Sequence, residues 1–139
     1  MNIYQATLDD IDDLIQLRID FLTMDQGRLS DQNEKEIRAQ LKVYLAKHIP
    51  LEDFIAVIAK HPTGKIASAA FLIIQERPAN PSFITGLTGT LLNVVTYPEF
   101  RRKGIASQVI GEIINEARQK GVSSIDLYAT DDGRNYIKN

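Results

Sequence analysis

The sequence predicts an α/β fold in which helices cover both faces of a sheet, and three observations carry that prediction. Along the 139 residues, hydrophobic periodicity switches between the two-residue repeat of strands and the 3.6-residue repeat of helices. The run from Lys65 to Gln75 is apolar on both faces, with Ile66, Ala70, Leu72 and Ile74 opposed to Ala67, Ala69, Phe71 and Ile73. That is the signature of a central strand with neither side open to water. From Asn93 to Ser107, a β-branched segment passes through a proline turn directly into an amphipathic helix.

The elements follow in order. Ile3 to Ala6 forms a short strand. Thr7 and Asp10 have the spacing of a capping box, and Asp9 and Asp10 favour the first turn of a helix carrying Ile11, Leu14, Ile15, Leu17, Phe21 and Leu22. A second helix begins near Ser30 and Asp31, turns Ile37, Leu41, Tyr44, Leu45 and Ile49 inward, and is expected to stop at Pro50. Phe54 to Lys60 and Lys65 to Gln75 form a hairpin about the turn His61-Pro62-Thr63-Gly64. Arg77 to Gly86, with two prolines, is a loop, and Leu87 to Tyr97 is the next strand. The helix after it is placed from about Arg102 to Lys120, with Ile105, Val109, Ile110, Ile113, Ile114 and Ala117 on one face and Gly121 ending it. Ser124 to Ala129 is a further strand, and Asp131 or Asp132 can cap a last helix.

Composition narrows the function classes. The length suits one domain spanning 1–139 with a single core. A net charge of −2 gives no global attraction to nucleic acid or membranes, so any anion binding must be local. The absence of cysteine excludes disulfides, thiolate nucleophiles and cysteine metal sites, and fits the reducing cytoplasm. Met1 to Gln5 lacks the blocks of a signal peptide, and no apolar run approaches the roughly 20 residues that span a bilayer.

The Asn93–Ser107 junction is built to hold an anion. Arg101, Arg102 and Lys103 sit where the helix starts, although the positive end of a helix dipole favours acidic residues by about 0.3–1 kcal/mol each. The same helix end leaves four N–H groups without intrahelical partners, and Gly104 and Ala106 are small enough for a phosphate to approach the backbone. These features point to a phosphorylated cofactor.

Arg101-x-x-Gly104-x-Ala106 resembles the (Arg/Gln)-x-x-Gly-x-(Gly/Ala) motif of the GCN5-related N-acetyltransferase (GNAT) family, and Asn-Val-x-Thr-x-Pro-Glu-Phe-Arg-Arg-Lys-Gly-Ile-Ala is similar to wording common in its bacterial members. The order of elements also resembles the family over essentially the whole chain. The resemblance implies a mixed central sheet flanked by helices, with the strand before the motif splayed from the strand after the helix to form a cofactor cleft. It implies that Arg101, Arg102, Lys103, Gly104, Ile105, Ala106 and Ser107 hold the pyrophosphate of acetyl-coenzyme A, while backbone groups of Val94, Val95 and Thr96 pair with its pantetheine arm. It implies direct attack of a small-molecule or peptide amine on the thioester, with an N–H near Val95 stabilising the oxyanion and no metal.

In many relatives a tyrosine of a Tyr-x-Lys-x-Gly-Phe segment protonates the leaving thiolate, and Tyr136-Ile-Lys-Asn139 resembles its start; the other reading of Tyr136 is packing. Several relatives carry a glutamate on the strand before the motif, whereas Thr88 to Asn93 holds no carboxylate. Asn93 either orients a water that relays the proton or satisfies a backbone group. His48 and His61 are expected in solvent, the Asp9, Asp10, Asp12 and Asp13 cluster to cap and solvate a helix, and Tyr97 and Phe100 to pack. The alternative to an enzyme is a catalytically weak acyl-coenzyme A sensor of the same fold; the acceptor is set by the first helices and the loop Arg77–Thr85. Family members continue past the position of Asn139 into two more strands, so an uncovered edge containing Ile125, Leu127 and Tyr128 is expected to drive self-association, for example as a homodimer.

Overall fold

A computed structural model describes residues 1–127 of the chain. Its backbone forms β1 (Asn2–Gln5), a 3-10 turn (Leu8–Asp10), α1 (Ile11–Gln26), α2 (Asp31–Leu51), β2 (Phe54–Lys60), β3 (Ile66–Glu76), β4 (Leu87–Thr96), a 3-10 turn (Pro98–Phe100), α3 (Ile105–Gln119) and β5 (Ser124–Leu127). The strands lie in the order β1-β2-β3-β4-β5; each of the first four is antiparallel to its neighbour among them, and β5 runs parallel to β4. The sheet is therefore mixed, and α3 is the crossover that a parallel pair requires.

The doubly apolar β3 lies at the centre, as its sequence demands, and the sheet separates two cores. On one face, Phe54, Ala56, Ile58, Ala69 and Phe71 meet Leu14, Leu17 and Phe21 of α1 and Leu45 of α2. On the other, Ile55, Val57, Ala70, Leu72 and Leu91 meet Ile105, Val109, Ile113 and Ala117 of α3. Alternate residues of β2, and of β3 from Ala69 onward, supply the two faces; at the start of β3 the register with β2 shifts, so Ile66 joins the α1–α2 core and Ala67 the α3 core, the reverse of the facing that strict alternation assigns them.

Thr7 and Asp10 do form a reciprocal capping box, but it heads the 3-10 turn that leads into α1. Two helix limits differ from expectation. Pro50 does not stop α2, which runs on to Leu51 and closes on Glu52 in the left-handed conformation; a proline in a last turn loses one hydrogen bond without forcing a break. The third helix starts at Ile105 rather than Arg102, because Arg102 (φ 65°) and Gly104 (φ 75°) adopt left-handed backbone incompatible with helix. Its far end is as expected: Gly121 N–H reaches the Arg118 carbonyl and Val122 N–H the Ala117 carbonyl, a Schellman closure. The expected strand ending at Ala129 is described as far as Leu127; Tyr128, Ala129, Asp131, Asp132 and Tyr136 lie outside the described residues. Among the described residues, no strand pairs with the outer side of β5.

Ile113 is wholly buried between α3 and the sheet, so Ile113→Ala is expected to lower unfolding free energy by about 2–5 kcal/mol in urea titration. Ile84→Ala, at a side chain 77% exposed, is expected to stay within about 0.5 kcal/mol of the parent.

Candidate functional site

The strand before the motif is not regular. Ala69 pairs with Val95 and Phe71 with Leu92, so Asn93 and Val94 together oppose the single residue Ala70. This is a β-bulge, and Asn93 occupies it with φ 54°, the left-handed backbone that asparagine tolerates better than most residues. The extra residue resets the alternation of β4. Leu91 packs with α3 and Leu92 with the α1–α2 core, yet beyond the bulge Val94 joins the α3 side and Val95 the α1–α2 side.

Helix α1 holds the bulge from one face. The Asn93 side chain is fully buried; its Oδ1 accepts from Arg18 Nη1 at 3.2 Å, and its Nδ2 donates to the Leu17 carbonyl at 3.4 Å. Three residues after Leu17, Asp20 Oδ2 accepts from the Tyr97 hydroxyl at 2.6 Å, just past the end of β4. From β3, the buried Ser68 hydroxyl donates to the Val95 carbonyl at 2.7 Å and bonds Thr96 Oγ1 at 3.0 Å.

Beyond the bulge, Tyr97 N–H donates to the Ala67 carbonyl, whereas the Thr96 carbonyl accepts from Arg101 Nε at 3.0 Å. The Thr96 carbonyl is thus engaged outside the ladder, although Thr96 stays in register with Ser68 of β3; the described part of β5 ends at Leu127, opposite Leu91.

The same end of the sheet carries the start of α3. Gly104 precedes it with no side-chain cap, and its first turn contains no acidic residue. A Cβ placed on Gly104 meets no atom within 4 Å, so the glycine serves the φ of 75° and leaves open space over the helix start. Arg101, Arg102 and Lys103 are exposed around it, and the Lys103 ammonium lies 6.0 Å from the centre of the Phe100 ring. The cations therefore ring the helix start instead of occupying its first turn. Val94, Val95 and Thr96 end the strand beside Arg101–Ser107, bridged by the Arg101 contact, while Asn93 points to the opposite face, onto α1.

On that opposite face lies a chamber of about 240 Å³ lined by Leu14, Arg18, Leu41, Tyr44, Leu45, Phe54, Phe71, Ile73 and Leu92. It adjoins an outer hollow of about 520 Å³ that shares Arg18, Leu41 and Tyr44 and adds Leu22, Glu36, Ile37 and Gln40. Burial raises the Tyr44 phenol above its ordinary pKa, with the Asp53 charge adding to the shift and the Arg18 charge opposing it.

His48 is not in open solvent as expected. Its Nδ1 lies 2.8 Å from Asp53 Oδ1 and its ring stacks on Tyr44 at 4.4 Å, because the left-handed Glu52 turns the chain back beneath the helix end. His61 bonds Thr63 Oγ1 at 2.9 Å within its turn and leans on Phe100. Phe100 packs in the α3 core. Asp10 caps the 3-10 turn, and Asp13 lies 3.8 Å from the Lys60 ammonium. Sequence reasoning missed Arg18, Asp20 and Ser68. Each looks like an ordinary polar residue within its own element, and only its partner, between 27 and 77 residues away, gives it a role.

The sequence model of the acetyltransferase (GNAT) family matches residues 13–137. The chain belongs to that family. It is 29% identical over 82 residues to ycf52, an uncharacterized N-acetyltransferase of Pyropia yezoensis; the match covers 53% of this chain and only 47% of that relative. The fold is similar to that of a predicted acetyltransferase of Clostridium acetobutylicum solved with acetyl-CoA, with TM-score 0.82 and 26% identity over 96% of this chain and 83% of that one. It is also similar to a GCN5-related N-acetyltransferase of Ralstonia eutropha, with TM-score 0.80 and 17% identity over 95% and 85% of the two chains. The expected family and the mixed-sheet fold are thus both established.

Two measurements probe this architecture. Asn93→Ala removes both bonds of a buried amide and keeps a side chain at positive φ; Asn93→Gly removes the same bonds but relieves the backbone. The alanine variant is expected to be the less stable by about 1 kcal/mol in urea titration, with both below the parent. Burial first, then the Asp20 bond and the Asp20 and Asp13 charges, raise the Tyr97 phenol well above its ordinary 10.0. Above pH 10 the unfolded chain releases a proton that the folded chain keeps, so stability falls as pH rises further. Tyr44 and Lys60 shift in the same direction, so Tyr97→Phe should reduce, not abolish, the slope of stability against pH measured above pH 10.

Proposed function

We propose that the protein transfers an acetyl group from acetyl-coenzyme A to a primary amine by direct attack, without a covalent enzyme intermediate. The observation that carries this reading is the uncapped start of α3, open above Gly104 and ringed by three cations, set beside the bulged end of β4. Those residues fit a pyrophosphate: backbone N–H groups of the first helical turn are free of side-chain caps, and no carboxylate competes in that turn. The similar Clostridium acetobutylicum protein, a predicted acetyltransferase solved with acetyl-CoA, supports the choice of co-substrate.

The co-substrate supplies a thioester whose carbonyl is open to a neutral amine. For the chain's own part, Arg101 to Ser107 bind and neutralise the phosphates, and the backbone of Val94 to Thr96 holds the pantetheine arm as an added strand would be held. An N–H near Val95 faces developing negative charge, a donor whose loss costs about 2.7–4 kcal/mol in comparable sites. Asn93 acts as a positioning residue: its amide, engaged by Arg18 and the Leu17 carbonyl, fixes the bulge that aims those donors. Tyr136 serves as the acid for the leaving thiolate on the strength of the Tyr-x-Lys pattern. The stretch Thr88–Asn93 carries no carboxylate, so the free amine comes from its own equilibrium or a water relay. The cysteine-free composition suits work in the cytoplasm.

At 100 times its dissociation constant, acetyl-coenzyme A is expected to add about 2.7 kcal/mol of stability, read as a raised Tm. Gly104→Glu puts a carboxylate where the pyrophosphate lies and should abolish the shift, whereas Gly104→Ala carries the same backbone strain without the charge and should retain most of it. A full shift in a folded Gly104→Glu protein refutes the placement. Tyr136→Phe is expected to lower turnover by about 10²–10⁴-fold with the thermal shift intact. Thiol release at the parent rate would remove Tyr136 from the mechanism.

A further inference from the structure

We infer that the amine acceptor carries a compact apolar body, an aryl ring or branched alkyl group without a second positive charge, seated in the chamber between α1, α2 and the sheet. This rests on the acetyl-transfer reading and names the acceptor class within it. The chamber lies on the face opposite α3, and Leu92, the residue before the bulge, forms part of its wall. An acceptor reaching the bulge from this side meets the strand from the face opposite the cationic helix start. A third hollow, lined by Gln5, Thr7, Asp9, Glu52 and Phe54 among others, has no β4 residue in its wall and gives no such approach.

Size and charge then select the body. An apolar cavity of about 150 Å³ is enough for benzene. The chamber, at about 240 Å³, has room for such a ring and a two-carbon link to the amine. Its walls are aliphatic and aromatic except at Arg18 and Tyr44. Arg18 bonds the Asn93 amide at 3.2 Å, and its guanidinium carbon lies 5.8 Å from the centre of the Phe21 ring. Among the described residues no carboxylate lines the chamber, so a second ammonium on the guest would be buried there without a counter-charge. Polyamines and aminoglycosides are thereby excluded by charge, and free amino sugars because, among the described residues, the inner wall offers their hydroxyls only Arg18 and Tyr44.

The test compares initial rates of thiol release from acetyl-coenzyme A with 2-phenylethylamine, 3-methylbutylamine, spermidine and glucosamine. The expected result is kcat/KM at least about 100-fold higher for the first two than for the others, in line with the discrimination a well-matched apolar pocket achieves. Leu41 is half-buried in the wall shared by chamber and outer hollow. Leu41→Trp fills that wall and should raise KM for 2-phenylethylamine more than tenfold while the acetyl-coenzyme A thermal shift stays unchanged. Should that variant not fold, 2-phenylethanol, which lacks the amine, is expected to inhibit the parent competitively against 2-phenylethylamine. Preference for spermidine or glucosamine, or no competition by 2-phenylethanol, overturns the inference while leaving acetyl transfer intact. If no amine releases thiol, acetyl transfer fails and binding decides: methyl NMR shifts at Leu41 and Leu92 on adding 2-phenylethylamine uphold the chamber, and unmoved signals overturn it.

Discussion

The structure turns on one extra residue in β4. Asn93 sits in left-handed backbone inside a strand, a conformation that costs an ordinary residue about 1–2 kcal/mol, and its amide is sealed from water. What offsets that cost is the pair of bonds to α1, from Arg18 and to the Leu17 carbonyl. Without the helix, the amide would be a buried polar group with no partner and the strand would gain by becoming regular. A regular strand would invert the facing of Val94 and Val95, so the bulge, the strand beyond it and the helix form one mechanical unit.

That unit explains why the two halves of the site lie on opposite faces of the sheet. On the α3 face, the strand end, the cationic turn and the helix start are stitched by Arg101 to the Thr96 carbonyl. On the α1–α2 face, the chamber is walled by the same helix whose Leu17 and Arg18 hold the bulge. A bulge gives the backbone a local bend between the two faces, and Ser68 and Asp20 keep that bend from relaxing by pinning the strand beyond it.

Charge follows the same division. The α3 side gathers Arg101, Arg102 and Lys103 around N–H groups with no acidic neighbour in the first helical turn, a field suited to phosphates. Among the described residues, the chamber on the α1–α2 side has the Arg18 guanidinium and the Tyr44 phenol in an otherwise apolar wall, with Glu36 in the outer hollow. Both sets of charges act locally, consistent with a chain whose net charge is only −2.

The sequence by itself determined the covered sheet, the central place of β3, the hairpin at His61–Gly64, the capping box at Thr7, the end of α3 at Gly121 and the family motif at Arg101–Ala106. All of these are local patterns, in which period, turn chemistry and spacing within a few residues carry the information. The start of α3 was placed three residues early because helical periodicity says nothing of the positive φ at Arg102 and Gly104. Only the tertiary structure decided the bulge at Asn93, the Arg18 and Asp20 contacts, the His48–Asp53 pair and the chamber behind Leu92. An asparagine in a β-branched run reads like any polar strand residue. What makes it a bulge is a helix 75 residues earlier in the chain, and a hydrogen bond across such a separation leaves no period in the sequence to be read.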